Sequence, residues 1–232
     1  MFNNKREFDK GKCWYKDVCT LYDTEYCSKS CVRYIKMDYL THSALLTEKQ
    51  SYSVKLVPDE CDYEAFKRLQ DIQKNVERFV SSGKQVLICS AITGNGKTAW
   101  AIKILLNYFD KIWHKCDLEC KGLIVNVPTF FNLLKDNISE NIEKARYIKE
   151  NIIKADLVIW DEIGVKSLTN YENDILLSYI DQRISNGKSN IYTSNLNSEQ
   201  LKEVLGVRLQ SRIVNNCEVI ELFGDDKRGV QW

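Results

Sequence analysis

"SAITGNGKTAW", residues 90–100, stands between an apolar run, "QVLIC", and a helical pattern that opens at Lys97. A strand, a tight glycine turn and a helix in that order aim successive backbone N–H groups and a helix N-terminus at one point, which suits a phosphate chain. Gly94 and Gly96 fall where the backbone needs a positive φ or a close approach. Lys97 supplies a cation for the terminal phosphates and Thr98 a hydroxyl for magnesium. The place that commonly holds this loop's first glycine is taken by Ala91. A methyl group is tolerable there if φ stays negative. The stretch therefore reads as a working phosphate loop for ATP, with Thr93, Gly94, Asn95, Gly96, Lys97, Thr98 and Ala99 as contacts and Lys97 at an exposed helix start. The competing reading is a glycine turn with an incidental lysine.

Roughly sixty residues on, "ADLVIWDEIG" ends an apolar strand with Asp161 and Glu162. Beside Thr98, Asp161 is suited to the magnesium shell, and Glu162 to polarising the water that attacks the γ-phosphate. An isolated acidic pair more simply closes a strand in solvent; beside a phosphate loop it points to hydrolysis. "SNIYTSNLNSEQL" brings Thr193, Ser194 and Asn195 to the same sheet edge, where Asn195 can reach the water or the γ-phosphate. The same residues can also cap the next helix, Ser198 being the better placed.

Around these motifs the text alternates between continuous apolar runs and helical patterns, which indicates a parallel α/β sheet flanked by helices on both faces. The pattern of Phe66, Leu69, Ile72, Val76 and Phe79 predicts one amphipathic helix ending at Gly83. With 232 residues, 44% of them hydrophobic, the chain can bury one substantial core and a small module. The expected division is a Cys-rich module over 1–45, a linker over 46–62 and an ATPase domain over 63–232. Lysine and arginine number 33 against 32 acids, so any DNA contact must come from local patches. The first ten residues lack a secretory pattern and no apolar run is long enough to span a bilayer, which predicts a cytoplasmic protein without membrane contact.

Nine cysteines in a reducing compartment are thiols or metal ligands rather than disulfides. Cys13, Cys19, Cys27 and Cys31 are separated by five, seven and three residues. Four thiolates complete a tetrahedral zinc site, and zinc can replace a core in so short a segment. Buried or free thiols are the alternative. His114, Cys116 and Cys120 form a weaker rival group, better read as a surface turn. Tyr15, Tyr22, Tyr26 and Tyr34 interleave with lysines, as for base stacking, a small core or a docking face.

Taken with the closing "LGVRLQSRIVNNCEVIELFGDDKR", these motifs resemble the AAA+ P-loop ATPases of the bacterial and phage replicative-helicase loader family, the DnaC/DnaI type, and the related transposition ATPase IstB. The resemblance spans residues 62–232. It implies an ATP- and Mg2+-dependent ATPase that assembles with copies of itself through its ATP sites and loads a hexameric replicative helicase onto single-stranded DNA. IstB-like assistance to a transposase is the alternative. By the same resemblance Arg212, with Arg208 as companion, reaches a neighbouring subunit's nucleotide, and Arg228 contacts the subunit's own. It also implies a Cys-rich, zinc-binding N-terminal module docking on the helicase, and no C-terminal lid domain, since the chain ends soon after "VIELF". The residues between Pro128 and Ala155 match the helices with which such proteins grip single-stranded DNA. Lys135, Lys144, Arg146 and Lys149 are the candidate contacts there, against a solvated face whose acids cancel the charge.

Overall fold

Strand β1 (Gln85–Cys89) is fully buried and lies between two parallel partners. The computed structural model describes residues 8–47, 50, 56–136, 138–215 and 217–227. With β2 (Gly122–Asn126), β3 (Leu157–Asp161), β4 (Ser189–Ser194) and β5 (Cys217–Glu221), β1 forms a five-stranded sheet of order β2-β3-β4-β1-β5. Every pair is parallel, so each connection crosses over a face of the sheet and all five carboxyl ends share one edge.

Because strand side chains alternate between faces, the apolar runs divide into two cores. Val86, Ile88 and Ile159 join α1 (Val32–Ser43), α2 (Tyr63–Lys74), α3 (Val76–Ser81) and α4 (Lys97–Ile112) on one side. Leu87, Val158, Trp160 and Tyr192 face α5 (Val127–Lys135), α6 (Ser139–Lys154), α7 (Asn170–Ser185) and α8 (Ser198–Val214) on the other. The single helix expected over 63–83 is two. Asn75 leaves the helical region (φ −104°, ψ 29°) and its side-chain amide donates to the Asp71 carbonyl at 3.0 Å, breaking the run. The intended face still packs, with Phe66, Leu69, Val76 and Phe79 all buried. Gly206 (φ 77°, ψ 162°) likewise kinks α8.

The sequence patterns do not reveal α1, although Leu40, Ala44 and Leu46 sit in the same core as α4. The Ala44 carbonyl accepts the Ile124 N–H at 3.0 Å, covering part of the β2 edge, and Tyr147 donates to the Ser43 carbonyl at 2.7 Å. Residues 32–46 thus lie against the sheet and its helices. Among the described residues no helix is long and apolar enough to cross a membrane.

Arg183 of α7, fully buried, ties the second core together. Its guanidinium donates to Asn190 Oδ1 (2.6 Å) and to the carbonyls of Ile152, Ala155 (2.8 Å) and Ser189 (2.6 Å), joining the end of α6 to the start of β4. Burial lowers its pKa only to about 10, so it stays charged at neutral pH. Arg183→Met orphans these buried acceptors, and urea unfolding should show a loss of about 3 kcal/mol or more.

Candidate functional site

The turn after β1 places Gly94 at φ 75° and Gly96 at φ 105°, the left-handed region where a Cβ is strained. Ala91 is not among the positive-φ residues, which is why its methyl group is accommodated. The fully buried Asn95 anchors the loop, donating to Ser90 Oγ at 2.6 Å and to the Leu222 carbonyl at 3.4 Å. Lys97 is only 7% exposed, contrary to the exposed position expected from the sequence. Its ammonium donates to the Ile92 carbonyl (2.7 Å) and to Asn95 Oδ1 (3.2 Å), so the loop folds around it.

The acidic pair arrives from β3. Thr98 and Thr193 each donate a hydroxyl to Asp161 Oδ1 at 2.7 Å, putting the first turn of α4, β3 and β4 at one point. Glu162 adopts φ 60°, a conformation costing an L residue about 1–3 kcal/mol and kept only where the surroundings dictate it. Here they do. Its N–H donates to Thr193 Oγ1 (3.0 Å), the next N–H to the Thr193 carbonyl (2.9 Å), and Asn126 donates to its Oε2 (2.9 Å). Thr93, Gly94, Gly96, Lys97, Thr98, Ala99, Glu162 and Asn195 line one cleft of ≈330 Å3. Backbone N–H groups, a lysine, a hydroxyl–carboxylate pair and a carboxylate beyond them fit a magnesium-bound nucleoside triphosphate.

Asn126 has no counterpart in the sequence reading, being merely the last polar residue of a strand before Pro128. Its Oδ1 caps α5 by accepting the Thr129 N–H at 3.1 Å, while its amide faces Glu162. Only the "N-V-P" spacing, a cap followed by a proline in the first turn of the helix, hints at it. Asn197, not Ser198, caps α8, accepting from Glu199 and Gln200 N–H (3.1 and 2.9 Å), which leaves Asn195 to the cleft.

Other expected residues lie elsewhere. Arg212 is exposed on α8, paired with Asp181 of α7 at 2.8 Å, and does not line the cleft; Arg208 is exposed on the same helix. Arg228 lies outside the described residues. Lys135 is pinned at 2.7 Å to Glu172, which caps α7; this pairing and the cap hydrogen bonds hold the Glu172 carboxyl down at about 2. Lys144, Arg146 and Lys149 lie on α6, the last two exposed. Nothing in the structure supports the expected zinc site at Cys13, Cys19, Cys27 and Cys31: among the described residues no three His, Cys, Asp or Glu side chains come together to hold a metal. Cys31 instead precedes α1 as its N-cap residue, and the segment is held by Tyr15, which donates to Asp110 and stacks under Arg33. Of the rival group, Cys116 and Cys120 are buried, burial raising the Cys120 thiol to about 11, while His114 is exposed.

The parallel sheet, phosphate loop and acidic pair define a P-loop fold of the AAA+ class. The chain belongs to the IstB-like ATP binding protein family, whose model matches residues 66–231. It is 25% identical over 146 residues to the replicative helicase loader DnaC of Escherichia coli strain K12, covering 62% of this chain and 53% of that protein. The chain thus spans about half the length of the curated relatives it matches. The crystal structure of the DnaC helicase loader superposes with a TM-score of 0.56 at 17% identity, covering 76% of this chain and all of that one. The crystal structure of DnaI gives 0.54 at 23%, covering 75% of this chain and 88% of that one.

Lys97→Ala should abolish ATP binding in a fluorescent-nucleotide titration. Ala91→Gly should change affinity less than about threefold, because φ is already favourable for alanine; a large gain would show the natural loop to be impaired.

Proposed function

We propose that this protein is an ATP- and Mg2+-dependent ATPase that loads a hexameric replicative helicase onto single-stranded DNA during replication initiation, in the cytoplasm. The observation that carries the reading is the convergence of Thr98, Thr193 and Asn126 on the pair Asp161 and Glu162. Thr98 and Asp161 would hold magnesium, which when bound neutralises charge developing on the phosphates. Glu162 sits beyond that shell, its carboxylate held by one amide, as suits a base that orients water. Asn195 and Lys97 offer donors to the terminal phosphate. Similarity to DnaC supports the helicase partner. Residues 1–45 are assigned to that contact, and Val18, Tyr26 and Val32 are exposed there. Single-stranded DNA is assigned to α5 and α6, with Arg146 and Lys149 as candidate phosphate contacts.

Arg212 is assigned to the neighbouring subunit's ATP in a homo-oligomer, supported by its exposure and its position outside its own cleft; Arg228 is assigned to the subunit's own nucleotide. The IstB-like family match favours a second reading, assistance to a transposase on duplex DNA. Co-purification from the host separates the two: a helicase with single-strand preference supports loading, a transposase with duplex preference the alternative.

Arg212→Ala and Glu162→Gln should each bind ATP within about threefold of wild type and hydrolyse it about a hundredfold more slowly, since both act mainly in the transition state. Mixing them restores intact interfaces, and turnover should return to about a quarter of wild type by random pairing. Mixed oligomers without recovered turnover rule out the trans role of Arg212.

A further inference from the structure

The loop residues Gly94 and Asn95 are gripped from behind by the chain that follows β5. The Lys227 N–H donates to the Gly94 carbonyl at 3.1 Å, and the Leu222 carbonyl accepts from the Asn95 amide, whose Oδ1 in turn holds the Lys97 ammonium. This strap, residues 222–227, is itself fixed by two carboxylates from the chain before α2. Asp62, fully buried, takes the Phe223 N–H on one oxygen (2.7 Å) and the Gly224 N–H on the other (3.0 Å). Asp59 takes the Asp225 N–H (3.2 Å) and the Lys227 ammonium (3.0 Å), which also reaches the Val57 carbonyl at 2.7 Å. The approach is close: a Cβ on Gly224 would lie 1.9 Å from Asp59 Oδ2 and 2.7 Å from Asp62 Oδ2. Residues 56–62, 222–227 and the phosphate loop therefore make one clasp. Asp62 fixes position strongly, because an unpaired buried carboxylate is expensive, and the more exposed Asp59 adds its hydrogen bond and ion pair.

We propose that Asp59, Asp62 and Lys227 are positioning residues for ATP binding, holding the strap in the place from which it shapes the loop around Lys97. None of the three lines the cleft. They act through the Gly94 carbonyl and the Asn95 amide, and the inference rests on the loop's being the ATP site. Since coupling between two sites is reciprocal, nucleotide in the loop must also steady the strap and residues 56–62.

The test is titration with a fluorescent ATP analogue and magnesium, using wild type, Asp62→Asn, Asp59→Asn, Lys227→Met, the Asp59→Asn/Lys227→Met double variant and, as a control on the surface of β5, Glu218→Gln. Asp62→Asn should weaken binding about tenfold, and Asp59→Asn or Lys227→Met about three- to fivefold. The double variant should be little worse than either single one, because the contact the two side chains share is already lost in each. Glu218→Gln should match wild type. Hydrogen exchange adds a readout that a scaffolding role does not move: ATP should slow the amides of Phe223 and Gly224 in wild type, and not in Lys97→Ala. Wild-type affinity in the folded fraction of all three single variants, or no ATP-dependent slowing at the strap, overturns the inference while leaving the ATP site intact. If Asp62→Asn fails to fold, the more exposed Asp59 and Lys227 decide by the same criterion. If wild type itself does not bind ATP, the loop reading falls and takes this inference with it.

Discussion

The register of β3 between β2 and β4 is the constraint on which the site depends. Asn126 pairs with Asp161 across one ladder, and Trp160 with Tyr192 across the other. Side chains alternate between faces, so a slip of one residue in either ladder would turn Asp161 away from Thr98 and exchange the side chains packed in the two cores. The apolar residues prevent that slip, because Leu157 and Ile159 belong to one core and Val158 and Trp160 to the other. The hydrophobic effect therefore sets the chemistry here, by making the register that unites the three strand ends the one that buries both faces.

Those residues whose roles follow from backbone geometry or strand position were legible in the sequence. Gly94, Gly96, Lys97 and Thr98 are tied to a turn that few residue types can make, and Asp161 and Glu162 close an apolar run at the sheet edge. Asn126 was not legible, because its hydrogen bonds go to Asp161 and Glu162, far along the chain, or to a helix start that any strand-ending asparagine can serve. Lys97 was misplaced in burial for a related reason: the loop's own carbonyl and Asn95 enclose it, and neither contact appears in a helical pattern. The α1 helix escaped because its stabilisation is tertiary. Its apolar residues are not gathered on one face, Met37 and Leu40 being buried while Val32 and Ile35 are exposed, and the helix is held by contacts with α4 and the β2 edge rather than by an amphipathic face of its own.

Charge patterns proved the least informative signal. Lys135, named with Lys144, Arg146 and Lys149 as a candidate phosphate contact, is paired with Glu172 of the α7 capping box. Arg212 is similarly engaged with Asp181, an exposed pair worth about 1 kcal/mol or less, so its release toward another partner costs little. The cysteines show the same limit. Spacing permits a tetrahedral cluster, yet the contacts seen around the segment are those of Tyr15 with Asp110 and Arg33, and among the described residues no metal-holding group forms.

The strained backbone at Glu162 and the dual use of Asn126 are one arrangement. The left-handed conformation turns Glu162 off the strand axis, and the cost is met by Thr193, whose hydroxyl accepts the Glu162 N–H and whose carbonyl accepts the N–H of Ile163. That conformation leaves the carboxylate within reach of a single side-chain amide, from Asn126. The same residue supplies the cap acceptor for α5, whose last turn carries the Lys135 that pairs with α7. Glu162 is thus tied through one asparagine to the helices packed outside the sheet, and any substitution at Asn126 must disturb the acid and the start of α5 together.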